Sequence, residues 1–287
     1  MPADTPTTLV LILLSLLSAA GVGVAIARRR GVPLTATAFA ISAACAAGSA
    51  LLLAYRVIIV HDYVWEPLQA HVDGLILVAA LLAAAMAYLQ HPDRLPGITL
   101  FGMPLLLIVL TWGICASHWT LEPFHRGAVV RSAHLLAVYV GTAGIVLAAV
   151  GGALYLLVSR RLKAHAAPKS NEMASLERIE RSIVHAAAIG FAAMTVGLVT
   201  GGIILSTEST RFDEGWWYSP KLVLAVIVWL VYAVVMTVRY GSFFRGRRAA
   251  WLSIAGMVAL FVVWVGVTAG LSASAETPPP PPTDQNP

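Results

Sequence analysis

Phe212 to Arg239 reads FDEGWWYSPKLVLAVIVWLVYAVVMTVR, a polar and aromatic segment that runs through Tyr218-Ser219-Pro220-Lys221 straight into an unbroken apolar stretch. Trp216, Trp217 and Tyr218 each have one wet and one apolar side, which suits the headgroup layer of a bilayer. Pro220 fits the first turn of a helix, where no backbone N–H is missed. Lys221 follows at the lip of the apolar run, where its stem can lie in hydrocarbon while the ammonium reaches outward. This is how a helix enters a membrane, and the fold question becomes one of counting and orienting spans.

The whole chain repeats the pattern. With 59% hydrophobic and only 11% charged residues, it reads as an all-α, polytopic integral membrane bundle. Eight spans are expected, at residues 8–27, 34–55, 71–89, 97–115, 131–158, 182–206, 220–238 and 251–271. The fifth and sixth exceed the ~20 residues a bilayer needs, so they tilt or project. Residues 1–274 form one transmembrane domain. Residues 275–287, with Pro278 to Pro282 consecutive, read as an extended, disordered Pro-rich tail. The loops sort by charge. One alternating set holds fourteen of the nineteen Lys and Arg residues; the other holds Arg56, Arg126, Arg131, Arg211 and Lys221. The positive-inside rule then puts both termini and the aromatic loop outside, in a multi-pass protein of the cell inner (plasma) membrane. Arg28, Arg29 and Arg30 follow the first apolar run, the reverse of a cleaved signal peptide.

Several function classes drop out. The net charge of +5 is spread over loops with no aromatic-interleaved basic stripe, so no nucleic acid is implied. No P-loop, G-x-S-x-G or H-E-x-x-H occurs, and the chain is not expected to be an enzyme. Cys45 and Cys115 lie at different membrane depths and do not form a C-x-x-C pair. Gly197-x-x-x-Gly201 and Gly266-x-x-x-Gly270 read as close helix packing. Ser175 to Glu180 is expected to form a short amphipathic helix ahead of the sixth span. A permease would carry internal repeats and interrupted helices, and the sequence shows neither.

Histidine is distributed unevenly. His61, His71, His118, His125 and His134 fall on or near the outer face together with Trp65, Trp112, Trp119, Trp216 and Trp217. A flat, amphiphilic macrocycle would find stacking rings and imidazole ligands there. His134 stands out because it lies one turn inside the fifth span, where a polar ring without a partner is costly. It is either a ligand or hydrogen-bonded to a neighbouring helix or to the region of Tyr139.

The aromatic stretch resembles the tryptophan-rich signature of the haem-handling proteins of cytochrome c assembly, W-x-W-D-P-K followed by W-L-x-Y-A. Trp216, Tyr218, Pro220, Lys221 and then Trp229-Leu230-x-Tyr232-Ala233 fall on those positions, and the likeness looks closest to the HemX/YpjD-like branch. Tyr218 stands where the family has its second Trp, Ser219 where it has Asp, and Leu222 where an acid usually follows. The resemblance implies a factor of cytochrome c biogenesis that binds or presents non-covalent haem at the outer face. Its contacts would be His134, Trp216, Trp217, Tyr218 and Lys221, with His134 as the iron ligand. The membrane, other cytochrome c assembly proteins and apocytochrome c would be its partners. Leu271 to Ala275 replaces the family's second outer histidine, and the intramembrane histidine is missing near Met236-Thr237. Either an outer-loop histidine substitutes, or one ligand holds haem weakly, or haem is no longer carried. A non-haem scaffold of the same fold and a small-molecule permease are the alternatives.

Overall fold

The computed structural model describes residues 5–60, 71–90, 95, 97–116, 128–163, 175–207, 220–237 and 246–275. All of the regular structure among them is helical: α1 (Thr5–Arg29), α2 (Thr35–Tyr55) with a π-helical turn (Arg56–Val60), α3 (His71–Leu89), α4 (Thr99–Cys115), α5 (Ala128–Lys163), α6 (Leu176–Thr207), α7 (Pro220–Thr237) and α8 (Arg247–Ala275). Thr5–Arg29, Thr35–Val60, His71–Leu89, Val129–Lys163 and Leu176–Ile204 are long and apolar enough to cross a membrane, and α4 and α7 add shorter apolar helices. The chain is a polytopic helical membrane bundle.

Local chemistry sets the helix ends. Arg28 and Arg29 sit in the last turn of α1, and Arg160, Arg161 and Lys163 in the last turn of α5, where cations complement the helix dipole. α1 stops because Gly31 adopts φ +97°. Its N–H then bonds the Arg28 carbonyl while that of Val32 reaches Ala27, which closes the orphan carbonyls. Pro220 opens α7, as expected.

Two spans are longer than the hydropathy pattern indicated. α5 has 36 residues and α6 has 32, and the former would be about 54 Å long at 1.5 Å per residue. The expected separate helix at Ser175 to Glu180 does not exist, because that stretch is the cap and first turn of α6. The Ser175 hydroxyl accepts from the Arg178 N–H at 3.3 Å. Ile179, Ile183, Ala186 and Ala187 then continue one buried stripe at helical spacing, so nothing interrupts the helix.

The helices close into two rings. α1 packs on α2 and α4, and α3 on α2 and α4; α5 packs on α6 and α8, and α7 on α6 and α8. α5 also contacts α3 and α4 and joins the rings. The same neighbour pattern therefore occurs twice, a structural repetition that the sequence did not display, because ring closure constrains which faces meet and not which residues stand there. Leu11, Ile41, Ile76, Leu82 and Met103 fill the first core, and Ile145, Leu154, Ile183, Val228 and Tyr232 the second.

A buried ion pair locks the first ring. Arg56, assigned by the sequence to an outside loop, is 0% exposed, as is Asp73. The Arg56 Nε–H donates to the Asp73 carboxylate, and Nη1 donates to the Thr7 hydroxyl at 3.2 Å. Three segments meet at this charge: the start of α1, the π-helical turn after α2 and the first turn of α3. Hydropathy alone places an arginine at a surface, whereas an acid at matching depth on a neighbouring helix makes burial tolerable.

Candidate functional site

α5 and α6 run antiparallel along a seam of glycines. A Cβ on Gly144 would lie 2.7 Å from the Gly190 Cα and 2.9 Å from the Ala186 carbonyl oxygen, so backbone faces backbone there. One heptad further along α5, Gly151 faces Ile183; Gly141 faces Met194. The same register brings the first turns of α5 against the last turns of α6, where Gly197 lies by Val138 and Gly201 by His134. The expectation that Gly197 and Gly201 serve close packing holds, and their close approach is also what seats the histidine.

His134 is half-buried. Its Nδ1 lies 2.9 Å from the Gly197 carbonyl oxygen and 3.3 Å from the Thr200 Oγ1, both on α6. A carbonyl can only accept, so Nδ1 carries the hydrogen and Nε2 of the neutral ring keeps its lone pair. The hydrogen bond to a neighbouring helix that the sequence offered as one reading is present, and its acceptor is on α6, not at Tyr139. Tyr139 instead points to the other side of α5, with its ring over Gly74.

In sequence the expected aromatic loop follows α6 and precedes α7. Trp216, Trp217 and Tyr218 fall outside the described residues, as do His61, His91, His118, His125, His165, Trp65 and Trp119. Lys221 is the second residue of α7. α6 ends at Thr207 and α7 begins at Pro220, so residues 208–219 connect the helix end nearest His134 to α7. Thr207 is six residues beyond Gly201, about 9 Å along the helix. α7 is fixed beside α6 by Trp229, which donates from Nε1 to the Thr195 hydroxyl at 2.9 Å and stacks on Phe191 at 5.4 Å between ring centroids. Tyr232 is buried with its hydroxyl 3.3 Å from the carbonyls of Ile145 and Ser253, on α5 and α8. Trp229 and Tyr232, the second half of the aromatic pattern, are thus ties between helices.

The remaining histidines divide by position. His185 is exposed and bonds the Arg181 carbonyl at 2.8 Å, a satisfied polar residue as expected. His71 opens α3. No group of three or more His, Cys, Asp or Glu that could hold a bare metal ion exists among the described residues. A haem makes a smaller demand, since the porphyrin supplies four donors and the protein one or two axial ligands. His134 fits that demand: one ring nitrogen is tied to a backbone carbonyl, and the other is left as a donor. Gly197, Thr200 and Gly201 were missed as site residues. Their signal was a G-x-x-x-G whose depth on the sixth span matches that of His134 on the fifth.

Comparison with known proteins bears on this site. The family model described as "Cytochrome C assembly protein" matches residues 8–272. A "Cytochrome c biogenesis protein CcsA" of Synechococcus sp. strain RCC307 is 31% identical over 91 residues, covering 32% of this chain and 28% of that protein. Those of Synechococcus sp. strain CC9605 and Prochlorococcus marinus strain MIT 9303 are each 29% identical, over 99 and 98 residues, or 34% of this chain and 32% and 30% of theirs. The matched stretch thus spans about a third or less of the curated relatives' length. No solved structure matches.

Proposed function

The chain belongs to the cytochrome c assembly protein family, and from that membership we propose that it is an integral membrane factor of cytochrome c biogenesis that binds or presents haem at the outer face of the plasma membrane. The observation that carries this reading is the His134 ring, with Nδ1 tied to the Gly197 carbonyl at 2.9 Å beside the helix end that leads into the aromatic loop. When bound, haem would supply an iron that an imidazole nitrogen can ligate. His134 would offer Nε2 to that position. Trp216, Trp217 and Tyr218 would give ring faces for the macrocycle, and Lys221 a positively charged partner for a propionate. Apocytochrome c and other assembly proteins would be its partners, consistent with the names of its relatives.

The test is an absorption spectrum of the purified, detergent-solubilised protein with and without reductant. A Soret band is expected, weakened or shifted in His134→Ala at nearly unchanged protein level, and unaffected in His165→Ala. An unchanged spectrum in the His134 variant removes it as a ligand. A second reading, a scaffold of the same fold without haem, is favoured by Leu271 to Ala275, which stands where haem exporters carry their second outer histidine. A colourless protein that still supports cytochrome c maturation would select it.

A further inference from the structure

Three features converge on one ring nitrogen of His134. The Thr200 hydroxyl lies 2.7 Å from the Val196 carbonyl and 3.1 Å from that of Gly197, so its hydrogen is committed to α6's own backbone. Its oxygen therefore meets Nδ1, at 3.3 Å, as an acceptor. The Gly197 carbonyl is the second acceptor, at 2.9 Å. Two acceptors on one nitrogen require the hydrogen to sit there.

Space is the third feature. A Cβ at position 201 would stand 3.0 Å from the His134 Cε1, 3.3 Å from Nδ1 and 4.0 Å from Nε2. It would press the edge of the ring that the two acceptors hold. At the next residue, Gly202, nothing lies within 4 Å of the same added atom. The sequence Gly-Gly at 201 and 202 thus contains one glycine that lies against the ring and one that faces open space.

We infer that Gly197, Thr200 and Gly201 form a seat on α6 that locks His134 as the Nδ1–H tautomer and presents Nε2 to a haem iron. The inference rests on the reading of His134 as an axial ligand. These are positioning residues: they touch the His134 ring and fix which nitrogen is free. Outer partners of metal-bound histidines act in this way, and losing one typically lowers metal affinity by about 10- to 100-fold.

The experiment begins without haem. Full-length protein labelled with 15N-histidine in detergent micelles gives the tautomer of His134 from long-range 1H–15N correlations, with His134→Gln identifying its signals. The Nδ1–H form is expected in the wild type and in Gly202→Ala, and a mixed or Nε2–H form in Gly201→Ala. Titration with ferric haem, read at the Soret band, should then show an affinity about tenfold lower for Gly201→Ala and unchanged for Gly202→Ala. Thr200→Val, which keeps the side-chain shape, should shift both readouts the same way by less and so serves if Gly201→Ala does not fold. An Nε2–H tautomer in the wild type overturns the seat, and so does a Gly201→Ala protein that keeps both the Nδ1–H signal and wild-type affinity. A wild-type Nδ1–H signal with haem binding that His134→Gln leaves intact overturns instead the haem reading of His134, and with it the seat's role toward iron.

Discussion

Replacing Asp73 with alanine should be among the most damaging single changes in the first ring. Arg56 and Asp73 are both 0% exposed, so the change strands a guanidinium in the bundle with the Thr7 hydroxyl at 3.2 Å as one remaining partner. Breaking a buried pair from one side costs about 3–5 kcal/mol. That is roughly 150- to 4,000-fold in the folding equilibrium at 1.4 kcal/mol per tenfold. In a chain of this size it corresponds to a fall in the thermal midpoint of about 6–20 °C. The double variant Arg56→Met, Asp73→Leu removes both charges at similar volume and should recover most of the loss, since desolvating the pair offsets much of its attraction. The assay is thermal unfolding of purified protein in one detergent, followed by size-exclusion recovery, for wild type, both single variants and the double. Wild-type stability in Asp73→Ala would refute the argument. A double variant as unstable as the singles would show that shape, and not unpaired charge, sets the cost.

Three further outcomes are expected. From the uneven distribution of basic residues, periplasmic reporters should be active when fused after Thr277 and inactive after Gly246; the opposite pattern would reverse the orientation and put the aromatic loop inside. If Trp216 and Trp217 form a haem platform, replacing both with Ala should leave protein level intact and abolish pigment or cytochrome c maturation, and Lys221 should accept Arg but not Gln or Glu; parallel falls of protein and activity on immunoblots and haem stains would leave only a membrane-anchor role. Gly144→Val should destabilise the protein by about 1–3 kcal/mol or more, because the added atoms meet the Gly190 backbone, and wild-type thermal stability in that variant would contradict the seam.

The spans were legible because a bilayer imposes one strong rule, an apolar run of about 20 residues, and Pro220 was legible because a proline that follows a polar segment and precedes an apolar run fits the first turn of a helix, where no backbone N–H is missed. Neither rule reaches between helices. Arg56 was misplaced because its acceptability depends on Asp73, seventeen residues away on another helix. The length of α6 was misread because Glu177 and Arg181, which form an exposed i,i+4 pair at 3.1 Å, look like loop polarity, although the opposite face carries Ile179 and Ile183 into the core. His134 was singled out correctly as needing a partner. Its partner is a backbone carbonyl, chosen by the register of two glycine-lined helices, and no residue type announces a carbonyl. The aromatic motif likewise gave no sign of its division of labour, in which Trp229 and Tyr232 are committed to packing.

α5 meets the first ring on one face and holds His134 on another, and this ties the first ring to the site in the second. Tyr139 lies five residues after His134, so it points roughly 140° away around the helix at 100° per residue. On that face its ring covers Gly74, the residue after Asp73. On the other, His134 rests against Gly201 and bonds Gly197. A rotation of α5 would shift both contacts at once, because the Tyr139 ring lies against Gly74 on one face and the His134 ring against Gly201 on the other. The ion pair holding the start of α3 is therefore part of what fixes α5, and through α5 the angle at which His134 meets α6. Asp73→Ala acquires a second readout on this basis: in whatever fraction remains folded, the His134 nitrogen signals should broaden or shift, although no atom of the variant touches the histidine. Sharp, wild-type nitrogen signals in a folded Asp73→Ala protein would mean that the glycine seam alone sets the ring, and that the first ring serves the site only by keeping the bundle closed.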